Sequence, residues 1–221
     1  MLIGLALVPK VRGQHNGEQK MFNINILRKS SFLLVLIGNV PTVMAVYALY
    51  SYLPMLAEST GLAKLESSYL ISAVGITNTL GRILAGWIAD LPHISALRMT
   101  TLASIIAGIL PSIFLLCSSH ATFLILSSLF GLIISVIPSV TSALIVEILG
   151  KQDLSSGFGM LTFVRGIAAL AGPPISGLIH DTTNSYSASF YLASVELIAS
   201  GLIHGCVVLL LHKRRHQYQA I

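Results

Sequence analysis

Six apolar runs, each about 20 residues long, dominate the sequence and limit what it can fold into. A helix needs roughly 20 apolar residues to cross about 30 Å of hydrocarbon. Only 10% of the 221 residues are charged, whereas an ordinary soluble domain has about 25%. The sequence therefore predicts an all-α membrane protein, with six transmembrane helices at residues 32–54, 68–89, 99–117, 122–148, 157–179 and 188–211.

The segments between the runs are short, and none is long enough to fold as a second domain. We therefore expect a basic lead at residues 1–30, a six-helix transmembrane bundle at 31–212 and a basic tail at 213–221. Residues 1–9 are apolar and precede Lys10, which reverses the charge order of a signal peptide. We interpret them as the end of a preceding helix or as a short interfacial anchor.

The distribution of lysine and arginine predicts the orientation, because these residues accumulate in cytoplasmic loops. With six spans, Lys64 lies on one side of the membrane and all the other loop and terminal cations lie on the opposite side. Both termini are therefore expected in the cytoplasm. The other cations are Lys10, Arg12, Lys20, Arg28, Lys29, Arg98, Lys151, Lys213, Arg214 and Arg215.

Several function classes find no support in the sequence. The net charge is +5, but the cations form no basic stripe interleaved with aromatic residues, so no nucleic-acid partner is expected. Cys117 and Cys206 lie in apolar runs, without the spacing of a metal site or a disulfide scaffold. Motifs of proteases, hydrolases and nucleotide-binding loops are absent. We therefore expect neither an enzyme nor a cofactor or metal site.

Arg82 is a permanent cation inside the second apolar run, about 5 Å to the cytoplasmic side of its midpoint. Such a cation costs at least about 2.5 kcal/mol to insert. One interpretation is a structural arginine that reaches the membrane interface or a neighbouring helix. The other is an anion site in a water-filled path, because guanidinium binds a carboxylate through two parallel hydrogen bonds. Asn78 precedes Arg82 by one turn on the same helix face, and either supports that site or forms an interhelical hydrogen bond.

Two other ionisable residues lie deep in apolar runs, Arg165 in the fifth and Glu196 in the sixth. They either line the pathway or pair between helices, and a direct pair requires tilt because the predicted spans separate them by about 10 Å along the membrane normal. Tyr47, Tyr50 and Tyr52 in the first run are candidate lining residues, and an interfacial aromatic belt explains them equally well.

Glycine and proline are frequent within the runs. The segment GLIHG, residues 201–205, has the spacing of a helix-packing motif. Prolines with nearby glycine or serine, such as Pro111 and Pro138, predict kinked helices.

Three stretches carry a resemblance to a known family. They are YLISAVGITNTLGRILAGWIAD at 69–90, VEILGKQDLSSGFGMLTFVRGIAALAGPPISGLIHD at 146–181 and YSASFYLASVELIASG at 186–201. Over residues 30–212 the chain resembles the carboxy-terminal six-helix half of monocarboxylate transporters, a branch of the major facilitator superfamily. The GPPISGLIHD segment is the most specific part of that resemblance.

The resemblance implies one half of a twelve-helix bundle, with substrate held between the halves. It also implies that Arg82 anchors the substrate carboxylate, since an arginine of the corresponding helix has that role. Proton-coupled members place an aspartate one turn before this arginine, whereas this chain has Asn78. Coupling to protons through this helix is therefore in doubt.

The function expected from these observations is transport of monocarboxylates or related small organic solutes by alternating access, as the carboxy half of a transporter. The alternative is a truncated membrane partner that transports nothing and modulates a full-length transporter. The expected partners are a small organic acid, membrane lipid, and an amino-terminal half or second membrane subunit. The expected location is the plasma membrane.

Overall fold

The regular structure of the described residues is helical throughout. A computed structural model of the protein describes residues 24–92 and 94–219. The prediction of an all-α fold is therefore confirmed for that part of the chain. The helices are, in chain order, a 3₁₀ helix at Ile24–Arg28, α1 (Ser30–Ser59), α2 (Lys64–Ala89), α3 (Ala96–Phe114), α4 (His120–Ile134), α5 (Val136–Ser139), α6 (Thr141–Leu149), a 3₁₀ turn at Lys151–Asp153, α7 (Leu154–Thr183) and α8 (Tyr186–Gln219).

Five helical segments of the described chain are long and apolar enough to cross a membrane, where the sequence predicted six. The helix at the second predicted run, α2, is 26 residues long, or about 39 Å at 1.5 Å per residue. This helix is long enough to cross a membrane, but it is not apolar enough, because the polar Asn78 and Arg82 interrupt its apolar residues. The five candidate spans are Ser30–Ser59, Ala96–Phe114, His120–Leu149, Lys151–Thr183 and Tyr186–Leu211.

The two predicted basic ends are only partly within the described chain. The interpretation of residues 1–9 as the end of a helix lies outside the described residues, as does the predicted lead up to residue 23. At the opposite end, α8 continues without a break through Gln219, so residues 213–219 of the predicted tail extend the last helix. The proposed division into lead, bundle and tail stays a prediction.

The single fourth helix expected at residues 122–148 is instead broken into α4, α5 and α6. Pro138 has no N–H to donate to the carbonyl of Ile134, and its ring clashes with a straight helix at that point. The amide of Ser139 still donates to the Ser135 carbonyl, but the distance is 3.4 Å. The regular helix is therefore interrupted at the middle of this span, and a change of direction at Pro138 stays a prediction.

The helices pack in neighbouring pairs, chiefly α3 with α8, α1 with α8, α2 with α4 and α1 with α7. One apolar core contains Leu53, Phe114 and Phe130, and a second contains Phe32 and Ile145. Large apolar side chains also cover the outer surface, as at Leu116 and Leu170, which are 83% and 80% exposed. An outer surface of this kind suits contact with lipid or with further helices.

Glycines allow α2 and α4 to approach each other closely. A methyl group added at Gly81 would lie 2.8 Å from the carbonyl oxygen of Leu132, and one at Gly131 would lie 2.5 Å from the carbonyl oxygen of Val74. Real side chains do not make contacts this short, so neither position tolerates a larger residue at the observed helix separation.

We expect Gly81→Ala to destabilise the protein by about 1–3 kcal/mol, because the added methyl group forces α2 and α4 apart. The matched control is Gly75→Ala on the same helix, where nothing lies within 4 Å of the added methyl group. The measurement is the thermal unfolding midpoint of the two variants in detergent. Equal midpoints for both variants would show that this close approach does not contribute to stability.

Candidate functional site

A cavity of about 390 Å³ lies between α1, α2, the broken α4–α5 segment and α7. Five of the seven residues predicted for the site line it, although they come from three different helices. Ile134 and Pro138 also line it, so the break in the fourth span faces the cavity. Non-helical backbone at membrane depth is tolerated where it borders such a space. The five residues are Tyr47, Tyr50, Asn78, Arg82 and Arg165.

Asn78 holds the guanidinium of Arg82 in place. The Nε of Arg82 donates to the Asn78 Oδ1 at 3.0 Å, and the Asn78 Nδ2 donates to the carbonyl oxygen of Gly131 on α4 at 3.3 Å. Asn78 therefore both orients the guanidinium and bridges two helices, which were the two alternatives considered for it. Within the described part of the chain, no protein group accepts a hydrogen bond from the two terminal amino groups of Arg82. These groups are thus available to an acceptor in the cavity.

Arg165 is held on the opposite side by α1 and α6. Its Nε and Nη2 both donate to the Asn39 Oδ1, at 2.9 and 2.7 Å, and its Nη1 donates to the Thr141 Oγ1 at 3.1 Å. A guanidinium has five N–H donors, so two of them remain for a group in the cavity. Arg165 therefore joins three elements and still lines the cavity.

The hydrogen bonds between Arg165 and Asn39 continue into a buried polar network between α1 and α8. The Asn39 Nδ2 lies 3.2 Å from the His204 Nε2, and the His204 Nδ1 lies 2.8 Å from the Ser200 carbonyl oxygen. The Ser200 hydroxyl lies 2.5 Å from that of Thr42, which lines the cavity. Asn39 and His204 are each only 1% exposed. Sequence reasoning missed this network, although the signal was present as polar residues inside apolar runs.

Glu196, another predicted site residue, is not among the residues that line the cavity. It lies half-buried on α8, which packs on the outer side of α1 and α3. Among the described residues no ion pair joins it to Arg165. The direct pair considered from the sequence is replaced by the contacts of Arg165 with Asn39 and Thr141, because the helices place these neutral groups against the guanidinium.

The tyrosines of α1 divide between the cavity and the helix packing. Tyr47 and Tyr50 line the cavity with ring centroids 6.3 Å apart, and Tyr50 meets Phe130 edge to face at 6.5 Å. Tyr52 instead donates its hydroxyl to the carbonyl oxygen of Pro173 at 3.3 Å. Tyr52 therefore ties α1 to α7 at a proline that interrupts the helix hydrogen bonding.

The electrostatic character of the cavity follows from its charged groups. Two arginines line it, and no aspartate or glutamate is among the lining residues. Guanidinium groups stay charged in proteins, and an unpaired cation at membrane depth is unfavourable. An anion in the cavity would relieve that cost, and a planar carboxylate matches the guanidinium geometry. Aromatic rings and apolar side chains form most of the remaining wall, which suits an organic anion of modest size.

Comparison with known proteins identifies a matching family and several similar transporters. The model of a family described as the Major Facilitator Superfamily matches residues 35–220. The chain is 26% identical to monocarboxylate transporter 10 of Mus musculus over 200 residues, which cover 90% of the chain and 39% of that protein. It is 31% identical to monocarboxylate transporter 12 of Homo sapiens over 182 residues, which cover 78% of the chain and 34% of that protein. The chain thus spans less than half the length of these relatives.

Proposed function

Because the chain belongs to the major facilitator superfamily, whose members are transporters and not enzymes, we propose that it carries small organic anions across a membrane. In this proposal it is the substrate-binding, carboxy-terminal half of a carrier of monocarboxylates or related solutes. The six helices move against a second set of helices, and the cavity opens to each side of the membrane in turn. The similarity to monocarboxylate transporters supports the proposed class of substrate.

The observation that carries the proposal is the unoccupied hydrogen-bonding edge of Arg82. Asn78 holds the Nε side of the guanidinium, so that the edge with the two terminal amino groups is left for a ligand. Two parallel hydrogen bonds from this edge to a carboxylate are stronger than bonds between neutral groups and also fix the orientation of the ligand. Tyr47 and Tyr50 would then contact the organic part of the same ligand.

A second set of helices is part of the proposal because the helices that form the cavity carry large exposed apolar residues. Ile83 on α2 and Phe163 on α7 are 68% and 70% exposed. Each is adjacent in sequence to a residue that lines the cavity, Arg82 and Thr162 respectively. Further helices packed on these faces would enclose the substrate. We propose that they belong to an amino-terminal half or to another membrane subunit.

The same faces favour a second candidate function, that of a membrane partner which transports nothing itself and modulates a full-length transporter. The chain matches under half the length of its relatives, and its exposed apolar faces suit helix association in lipid. For either function we propose cytoplasmic termini, from the distribution of lysine and arginine, and a place in the plasma membrane.

The proposed function is tested by binding and uptake measured side by side. The purified chain is incubated with labelled acetate, benzoate and phenylpyruvate, and the neutral amides of the same acids serve as matched controls. Preferential binding of the acids, together with their uptake into proteoliposomes, would support a carrier. Binding without uptake, combined with co-purification of a full-length transporter, would favour the modulating partner. Equal binding of acids and amides would contradict both a carboxylate site and the role proposed for Arg82.

We further expect uptake to depend little on a pH gradient. Asn78 cannot take up or release a proton, and no aspartate or glutamate lines the cavity. The measurement is benzoate uptake into proteoliposomes at equal internal and external pH, compared with an acidic exterior, at a fixed concentration of the benzoate anion. Accumulation driven by the acidic exterior beyond that in protein-free liposomes, into which neutral benzoic acid diffuses unaided, would show that another group couples proton movement to transport.

A further inference from the structure

A second cavity lies on the outer surface between α3 and α8, away from the arginine-lined cavity. It has a volume of about 700 Å³, and it shares no lining residue with the first one. Apolar side chains such as Leu102, Ile105 and Leu209 form most of its wall. The two helices run antiparallel along it, so it is a groove of about 10 Å between the levels of Ile105 and Arg98.

The two glycines of the GLIHG segment explain why the groove opens where it does. A methyl group added at Gly201 would lie 2.5 Å from the Cγ1 of Ile105, so α3 and α8 touch at that level. A methyl group at Gly205 would meet only the Cγ2 of Thr101, at 3.6 Å. The first glycine therefore serves helix packing, as the sequence predicted, whereas at the second an added methyl group would make only one ordinary van der Waals contact.

A cation lies at the wide end of the groove, which is the end beyond Gly205. Arg98, in the first turn of α3, lines the groove and is exposed, and its side chain has no hydrogen bond or ion pair with any described residue. Lys213 follows Leu209 by four residues, so it lies on the same face of α8 one turn further out, where it is exposed. The nearby carboxylate of Glu147 accepts hydrogen bonds from Ser95 and the Leu97 amide.

We infer that this groove binds an anionic phospholipid, with one acyl chain along α3 and α8 and the headgroup phosphate at Arg98. An apolar slot in the membrane accepts an acyl chain of any phospholipid, so the slot alone does not select one. The positive charge at its mouth selects a headgroup with net negative charge, and each basic residue near the surface contributes about 1 kcal/mol to such binding. The wide end also lies on the side where the positive-inside distribution places the cytoplasm.

The chain contains its own probe of occupancy. Cys206 lines the groove and is exposed, whereas Cys117 is buried in the helix core, and both thiols are free. An acyl chain in the groove would shield Cys206 from an alkylating reagent and leave the slow reaction of Cys117 unchanged. The test uses the full chain in detergent, with phosphatidylglycerol or phosphatidylcholine of identical acyl chains, and with soluble glycerol phosphate. The readouts are N-ethylmaleimide alkylation of each cysteine and lipid bound in native mass spectra.

We expect phosphatidylglycerol to protect Cys206 at a concentration about fivefold lower than phosphatidylcholine does, which corresponds to one basic residue. In Arg98→Gln this preference should fall to about one, while both lipids still bind. Gly205→Leu, which fills the groove, should reduce the binding of both lipids, and Gly75→Leu, on α2 with nothing within 4 Å of an added methyl group, should not.

Four outcomes would overturn the inference. Equal protection by the two lipids, or a preference unchanged in Arg98→Gln, would remove the headgroup site. Protection by glycerol phosphate alone would assign Arg98 to a soluble anion. Protection that rises with protein concentration and accompanies dimer masses would assign the groove to a second copy of the chain.

Discussion

Replacing Arg82 with alanine is expected to weaken carboxylate binding strongly. The variant removes the only cation of the cavity with both terminal amino groups free of partners among the described residues. Loss of one partner of a hydrogen-bonded charge pair costs about 2–5 kcal/mol, which is roughly a 30- to 4,000-fold loss of affinity. The measurement is equilibrium binding of labelled benzoate to the purified variant.

Two further variants separate a specific anchor from a general effect of charge. Arg82→Lys keeps the positive charge but loses the two-pronged geometry, so we expect binding with reduced affinity. Lys64→Ala removes a cation from the beginning of the same helix, outside the cavity, and should bind benzoate normally. Unchanged benzoate binding by Arg82→Ala would exclude the anchoring role, whatever the other variants do.

The largest expected effect on stability is that of Asn39→Leu. Leucine preserves the approximate volume but removes the oxygen that accepts two hydrogen bonds from Arg165. It also removes the contact with His204. A charged group left without its buried partner destabilises the folded state, here by about 2–4 kcal/mol. The measurement is the unfolding midpoint in detergent, which we expect to fall clearly.

A conservative and a neutral substitution serve as controls for Asn39→Leu. Asn39→Asp retains an acceptor for Arg165 and should preserve more of the stability than leucine does. Ser127→Ala removes a hydroxyl that is fully buried but has no hydrogen-bond partner among the described residues, so its effect should be small. If Asn39→Leu unfolded at the same temperature as Ser127→Ala, the network around Arg165 would not contribute to stability.

The features that the sequence could predict are those that depend on neighbours along the chain. Runs of apolar residues located the long helices, because span length follows from bilayer thickness. The contact of Asn78 with Arg82 follows from helical periodicity, since residues four apart share a face. The resemblance to monocarboxylate transporters also predicted a role for Arg82 in binding, which stays a prediction.

The features that escaped prediction depend on how the helices pack. Arg165 had an obvious charged candidate in Glu196, but the packing of α1, α6 and α7 brings it to the neutral groups of Asn39 and Thr141. Helix-packing partners, unlike spacing along one helix, cannot be read from one sequence. Similarly, Pro138 predicted a kink, but the division of this span into α4, α5 and α6 was not predicted, and the packing of α5 against α2 and α3 was not either.

The break at Pro138 also bears on how the cavity wall can deform. A continuous helix resists bending because backbone hydrogen bonds join every turn to the next. Here one of these hydrogen bonds is missing at Pro138, which borders the cavity. Less backbone hydrogen bonding therefore joins the two halves of the fourth span than would join two parts of an intact helix. If the chain alternates between two states as proposed, bending at Pro138 would concentrate the backbone rearrangement in a few residues of the cavity wall and spare the helices that carry the two arginines.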